Sequence, residues 1–445
     1  MMDLYSSNVT WCLSRRQYSR LSKTAYNTIQ QYGVRQIAHA RRAFSYKFSS
    51  SVGSTYFLVF SADGEKLASS HADHTVRVSD VNSNLCLHVL SGHPRTVWSA
   101  AFHPSDSCLI ATGCLNGVVK VWDLNKDCKL VSKTSCDSNV TSLAFHPSER
   151  VLLIAAGNQL LFWSCNESKP FAKSNVTSFY ERVRLAKFGP HGNFIITGIL
   201  QAEHEEFCKE TYEAICHQNQ AQSLTCRTSV IHVNTHNMET CVEHVEDRSP
   251  EDQLSISILN RPELHRLQYW DFTHFTIPSL QKTSNNIITS NCKFLNNLGV
   301  DISSDGRFLC AAVFPSANDA ESCYICVFSL EQMKLGECLY SKGVKQSVMT
   351  ICFSPLHSHL IVGVSHGISL SEDVAAKVVG HIFKLGSKKN LSRVMTLKLQ
   401  FDVKSISESR IFSGANVNAV SWHPMIKYGL IAFGTNKGGV HYLHV

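Results

Sequence analysis

A chain of 445 residues that is 44% hydrophobic and 17% charged is long enough for one large β domain or for two to three smaller ones. The formal net charge is only +7, and no basic stripe carries interleaved aromatics, so a nucleic-acid groove is not expected. The chain has no run of about 18 apolar residues to span a membrane, and its 17 cysteines follow no export leader, so they read as reduced core thiols.

Charge is concentrated at the start. Residues 1–53 hold eight Lys or Arg against one acid, Asp3. Within them, residues 18–42 place Leu21, Tyr26, Ile29, Val34 and Ile37 at roughly helical spacing, with Ser22 as a cap and Gly33 as an interruption. The pattern predicts a helix-break-helix segment. Arg-rich, acid-poor composition also matches a mitochondrial presequence, but this segment runs straight into "AFSYKFSS" (43–50), an alternating strand.

From there one unit recurs: an alternating strand, a turn, then a second apolar strand. The instances are "FLVFSADGEKLASS", "AAFHPSDSCLIATG", "LAFHPSERVLLIAA", "LAKFGPHGNFIITG", "VDISSDGRFLCAAV", "ICFSPLHSHLIVGV" and "VSWHPMIKYGLIAFG". Phe60, Phe102, Phe145 and Phe188 precede the first four turns at separations of 42, 43 and 43, the period of a four-stranded propeller blade. A third strand follows and ends in Trp-Asp or a decayed form, as in "VKVWDL", "LLFWSC" and "LQYWDF". Seven such units predict an all-β, seven-bladed WD40 β-propeller with an N-terminal helical segment. In blade two, His93, Thr112, Asn116 and Trp122 stand where WD repeats link their strands by hydrogen bonds. Asn116 replaces the usual Asp, so the charge-assisted part of that chain is lost. A His-Thr-Asp hydrolase triad is the competing reading, but no Gly-x-Ser-x-Gly elbow is present and no enzyme activity is expected. The seventh unit has three strands, and 43–50 is the candidate to supply the fourth, because an open ring leaves aggregation-prone edges.

The rhythm breaks after Leu200. Residues 201–262 are acidic, opening with Glu203, Glu205, Glu206, Glu210 and Glu213, and poor in aliphatics. They read as a disordered insertion between strands of blade four. Cys208, Cys216, His217, Cys226, Cys241 and His244 lack paired Cys-x-x-Cys spacing, so no metal is expected. Tyr212 and Ile215 resemble the short aromatic-x-x-aliphatic motif that adds a strand to ubiquitin-like autophagy proteins. The organisation is therefore 1–42 N-terminal segment, 43–200 first propeller half, 201–262 insertion and 263–445 second half.

Several stretches resemble the WD40 portion of the Ambra family of beclin-regulating autophagy proteins. They are "STYFLVFSADGEKLASSHADH", "LSGHPRTVWSAAFHPSDSCLIATGCLNGVVKVWDL", "SNVTSLAFHPSERVLLIAA", "ERVRLAKFGPHGNF", "RLQYWDFTHFTIP", "DISSDGRFLCAAVFPS" and "FGTNKGG". The likeness covers about residues 40–200 and 264–442, and a propeller split by an insertion is that family's layout. It implies a substrate receptor of a cullin-RING ubiquitin ligase, docked on the damage-binding adaptor and presenting D-type cyclins and autophagy-initiation proteins. It implies residence in the cytoplasm, the nucleus and at autophagosomes, and no cofactor. The family's insertion is far longer and a tail follows its propeller, so binding of beclin, dynein light chain or phosphatase through those segments is not carried over. Asn125 stands two positions after the Trp-Asp, where many such receptors carry arginine, which moves the expected docking to residues 18–42. Leu21, Ile29, Val34 and Ile37 are the expected anchors, with Arg41 and Arg42 at the rim. Substrate contact is expected on the top face at His71, His74, Arg95, Trp98, Asn116, Asn158, Arg182, Arg184, Asn436 and Lys437. A non-ligase autophagy scaffold is the alternative. A lipid-binding propeller would need a Phe-Arg-Arg-Gly tetrapeptide in a blade, and the doublets Arg15-Arg16 and Arg41-Arg42 lie outside the blades.

Overall fold

Alternation of apolar and polar residues, broken every few positions by Gly, Asp, Asn or His-Pro, produces short antiparallel strands. The computed structural model describes residues 43–46, 52–126, 128–178, 180–201, 264–282, 284, 286–294, 297–314, 323–365, 376–386, 391–400, 417–425, 429–436 and 438–444. They form seven blades around one axis, in six hydrogen-bonded sheets. Blade one is Thr55–Phe60, Lys66–His71, Val76–Asp80 and Cys86–Leu90; blade two is Val97–His103, Asp106–Cys114, Val118–Asp123 and Lys129–Ser135. Blade three is Val140–Phe145, Val151–Ala156, Gln159–Ser164 and Ala172–Asn175; blade four is Arg182–Phe188, Phe194–Leu200, His265–Asp271 and Ile287–Cys292. Blade five is Val300–Ile302, Phe308–Val313, Cys323–Ser329 and Cys338–Val344; blade six is Ser347–Phe353, His359–Ser365, Ala376–Leu385 and Leu391–Gln400. Cys292, at the end of blade four's outer strand, pairs with Val313 in blade five's second strand, which joins the two blades in one sheet.

Blade seven has Val417–Trp422, Leu430–Thr435 and Val440–His444 from the chain's end, and its outermost strand is Ala43–Tyr46, with Ala43 opposite Leu443. The sequence expectation of a borrowed closing strand holds. Six blades repeat one irregularity: the pairing of first and second strands shifts just inside the first strand, as at Val97/Ser99 and Val140/Ser142. A bulge there steepens local twist, which suits sheets that must fan about an axis. Blade five is the exception, with a first strand of only three residues.

Apolar clusters fill the spaces between blades. One joins Phe57, Val97 and Phe102 of blades one and two, and another joins Leu58, Phe60, Ala419 and Tyr442 across the closing seam. That seam is tied at both ends. Asn418 Nδ2 donates to Thr55 O at 3.0 Å and Ser54 Oγ to Asn436 O at 2.8 Å, while at the opposite end His423 Nε2 lies 2.9 Å from Gly64 O. Blade three grips blade four the same way, His146 Nε2 meeting Gly192 O at 3.3 Å. Gly64 and Gly192 both have positive φ, and a Cβ on either would overlap the gripping imidazole.

The central channel is not open from end to end. The Leu298 carbonyl accepts from Ile351 N and Thr350 Oγ1, and Asn297 Nδ2 reaches Ser99 Oγ on the far side at 3.3 Å. What is left is a cavity of about 360 Å³ lined by first-strand residues of all seven blades, with the Lys187–Asp301 pair on one wall.

Candidate functional site

Antiparallel alternation fixes two faces. The loops entering each first strand and those joining second to third strands lie on one, here the top. The loops joining first to second and third to fourth strands lie on the other. All of the expected top-face residues that are described fall at the top ends of strands or in top loops. Arg95 and Asn116 are exposed; His74, Trp98, Asn158, Arg182, Arg184 and Asn436 are half-buried. Trp98 packs on Tyr56 with ring centroids 5.6 Å apart, so blades one and two share an aromatic step at the channel mouth. Lys437, Tyr212, Ile215 and the expected docking residues Leu21, Ile29, Val34, Ile37, Arg41 and Arg42 lie outside the described residues.

Two expectations need correction. His71 is fully buried, its ring between Thr55 Oγ1 at 3.3 Å and Ser69 Oγ at 2.8 Å, so it holds strands together and presents nothing to a partner. Asn116 is not part of the blade-two chain. His93 Nε2 meets Thr112 Oγ1 at 2.7 Å and Trp122 Nε1 donates to the same oxygen at 2.8 Å, but His93 Nδ1 is buried without a hydrogen-bond partner and Asn116 is exposed. Burial, with Lys120 nearby, pushes His93 down to about 3. An aspartate at this turn would accept from Nδ1 and favour the proton. Asn116→Asp is therefore expected to stabilise the chain by about 1 kcal/mol, read as a raised urea midpoint. An unchanged midpoint would show that the turn cannot bring its side chain to the ring.

Blade four departs further. Leu200 pairs with His265, so the second and third strands of this blade meet at the top face across a connection of more than sixty residues that lies outside the described residues. At its root, buried Glu181 pairs with buried Arg266, whose Nε donates to Gln268 Oε1 at 2.9 Å, and Gln268 Nε2 donates to Lys282 O at 3.1 Å. Glu181 Oε2 and Arg266 Nη2 are buried without further partners. Breaking a desolvated pair leaves one bare charge inside. Arg266→Met is expected to destabilise by about 3 kcal/mol, and Glu181→Gln added to it to regain most of that loss, measured as denaturant midpoints of both variants. The separation of 85 positions across the insertion hid this pair from sequence reading.

The bottom face carries a second feature with no repeat-pattern signal. Phe275 is 57% exposed and sits at φ +55, a region bulky side chains rarely occupy, while packing on Phe272 and His146. Ile277 of the same loop and Phe171 of the corresponding loop in blade three are exposed as well. Ala43, opposite Leu443 at the end of a third strand, lies at this face too. Among the described residues no cluster of His, Cys, Asp and Glu could hold a metal ion, and no helix is long and apolar enough to cross a membrane.

Known proteins match this architecture. The WD domain, G-beta repeat, matches residues 84–123, which run from blade one's outer strand through the Trp-Asp of blade two. Activating molecule in BECN1-regulated autophagy protein 1B of Danio rerio is 41% identical over 153 residues, 34% of this chain and 11% of its own length. Protein 1A of the same name and organism is 35% identical over 205 residues, 46% of this chain and 16% of its own. The chain thus matches well under a quarter of either relative. The crystal structure of the Myceliophteria thermophila Cps50 (Swd1) β-propeller domain superposes with a TM-score of 0.56 over 90% of this chain and 98% of that one, at 14% identity, and speaks for the fold alone. Repeat and sheet architecture make the chain a WD40-type β-propeller, similar over the matched stretches to the two BECN1-regulated autophagy proteins.

Proposed function

We propose that the chain is the substrate-recognition subunit of a cullin-RING E3 ubiquitin ligase that regulates autophagy and D-type cyclin turnover. The observation that carries this reading is the 35–41% identity to two proteins named as activators in BECN1-regulated autophagy. The damage-binding adaptor takes residues 18–42, with Leu21, Ile29, Val34 and Ile37 as apolar anchors. Because the chain emerges from residues 1–42 at the bottom of blade seven, an adaptor held there lies under the bottom face. Phe171, Phe275 and Ile277 are the apolar groups it meets. Substrates, cyclins and autophagy-initiation proteins among them, bind the opposite face, where Trp98 on Tyr56 offers an aromatic anchor and Arg95, Arg182 and Arg184 supply donors. Ubiquitin-like autophagy proteins take Tyr212 and Ile215 of the insertion. Work in cytoplasm, nucleus and at autophagosomes follows from the same reading.

Asn125 favours a second reading, a scaffold for autophagy-initiation proteins without a ligase. Its backbone N–H donates to Asp123 Oδ1 at 3.0 Å in a local turn, and there is no arginine at that position to reach an adaptor. Mixing the full chain with purified adaptor–cullin assembly separates the two. Co-elution supports the receptor; no complex, with autophagy-initiation proteins still captured, supports the scaffold.

A further inference from the structure

Every blade of a propeller ends in an outer strand with an open side, and such edges are normally guarded by charge. Here the guards are visible. The outer strand of blade two carries Lys129 and Lys133, blade three Lys173, blade five Lys342, and blade six Arg393. In blade four the outer strand is tied to blade five through Cys292. In blade seven the outer strand is the added Ala43–Tyr46.

Blade one is the exception. Residues 81–94 contain no Lys, Arg, Asp or Glu. Its outer strand, Cys86–Leu90, pairs only with Val76–Asp80, and no other described strand covers its far side. Leu85, Leu87 and Val89, at every second position, are 62%, 44% and 48% exposed. They therefore share one face of the edge. Leu130 and Val131 on the adjacent outer strand are exposed as well. An unguarded strand with a row of apolar side chains is a template for another strand, and blade seven shows that this molecule's sheets accept one from a distant part of the chain.

We propose that Cys86–Leu90 is a dimerisation edge that pairs antiparallel with the same strand of a second copy. The strand is its own complement. Uncharged, it brings no like charges into opposition, as Lys129–Ser135 or Leu391–Gln400 would if either paired with itself. Antiparallel self-pairing keeps the alternate apolar residues of both copies on one face, where Leu87 and Val89 cover one another across the new ladder. The two blades then form one continuous eight-stranded sheet with a two-fold axis near His88.

Sedimentation velocity of the full chain over a range of concentrations tests this. The wild type is expected to pass from monomer to dimer and no further. Leu87→Lys with Val89→Lys is expected to weaken the dimer by about 100-fold, because lysines then face lysines across the ladder. Phe171→Lys with Phe275→Lys is expected to leave it unchanged. Both pairs of side chains are exposed, and matching circular dichroism confirms that the variants fold. In parallel, amide hydrogen exchange of residues 86–90 is expected to slow as wild-type concentration rises. A wild type that is monomeric throughout, a dimer indifferent to the blade-one lysines, larger oligomers in place of a dimer, or exchange at 86–90 independent of concentration would each overturn the proposal.

Discussion

Gly64→Val is expected to lower the stability of the chain by about 4 kcal/mol, the sum of a left-handed backbone strain and an overpacked contact. Gly64 has φ +76, and any Cβ there overlaps the His423 ring from the last blade. Gly438→Ala probes the other end of the same seam: φ is +79, and a Cβ would strike the carbonyl of Gly53. Both substitutions act where residues separated by more than three hundred positions must meet, so each pushes the ring open instead of loosening one blade. The corresponding change at Gly92 is the control. It also has positive φ, but a Cβ there lies 3.1 Å from Lys120 Nζ, a contact eased by a shift of a few tenths of an ångström, so Gly92→Ala is expected to lose mainly the backbone part, about 1–2 kcal/mol. Urea unfolding of the three variants reads the difference. Equal losses at Gly64 and Gly92 would mean that the seam contributes nothing beyond backbone strain.

Acid is expected to unfold the protein well above the usual carboxylate range. His71 and His359 are held down to about 4, and His93 and His265 to about 3, in each case chiefly by burial. All four are buried inside blades. An unfolded histidine takes its proton near pH 6.5. Folded values below the unfolded one mean that the unfolded chain binds more protons through the interval between them. The stability these residues allow is therefore complete above about pH 6.5 and falls as pH drops toward 4, and toward 3 for His93 and His265. Each contributes a slope of up to about 1.4 kcal/mol per pH unit, so together they remove about 5 kcal/mol by pH 5.5, as much as the whole stability of many domains. Paired carboxylates such as Asp73, held low mainly by hydrogen bonds from Thr75 and Arg77 against its burial, lose their contribution only near and below their own range of about pH 4. Urea midpoints at pH 7.5, 6.5 and 5.5 should show the loss in that span, and a His265→Gln variant should show a shallower one. Flat midpoints down to pH 5 would contradict it.

The repeat was legible because strand alternation and turn residues recur locally, and Phe60, Phe102, Phe145 and Phe188 keep step without any knowledge of three dimensions. The closing strand could be named because three strands in the last unit leave one position vacant. Much of the hydrogen-bonded chain in blade two also followed from residue type, with His93, Thr112 and Trp122 in place. His71 was misread because a histidine at the end of a strand looks the same in sequence whether its ring turns to solvent or into the sheet. Here Thr55 and Ser69 draw it inward. The Glu181–Arg266 pair and the His423–Gly64 grip depend on which blade neighbours which, and no local pattern encodes that. Phe275 reads as an ordinary loop aromatic until its positive φ and exposure are seen together.

Closure and docking divide at one position, and that division tests the account most directly. Residues 43–445 keep the strand that completes blade seven and lack the segment assigned to the adaptor. Adaptor binding and thermal unfolding should be measured side by side for the full chain and for residues 43–445. The account predicts an unchanged unfolding midpoint and lost adaptor binding. A truncated chain that unfolds normally and still binds the adaptor would contradict it.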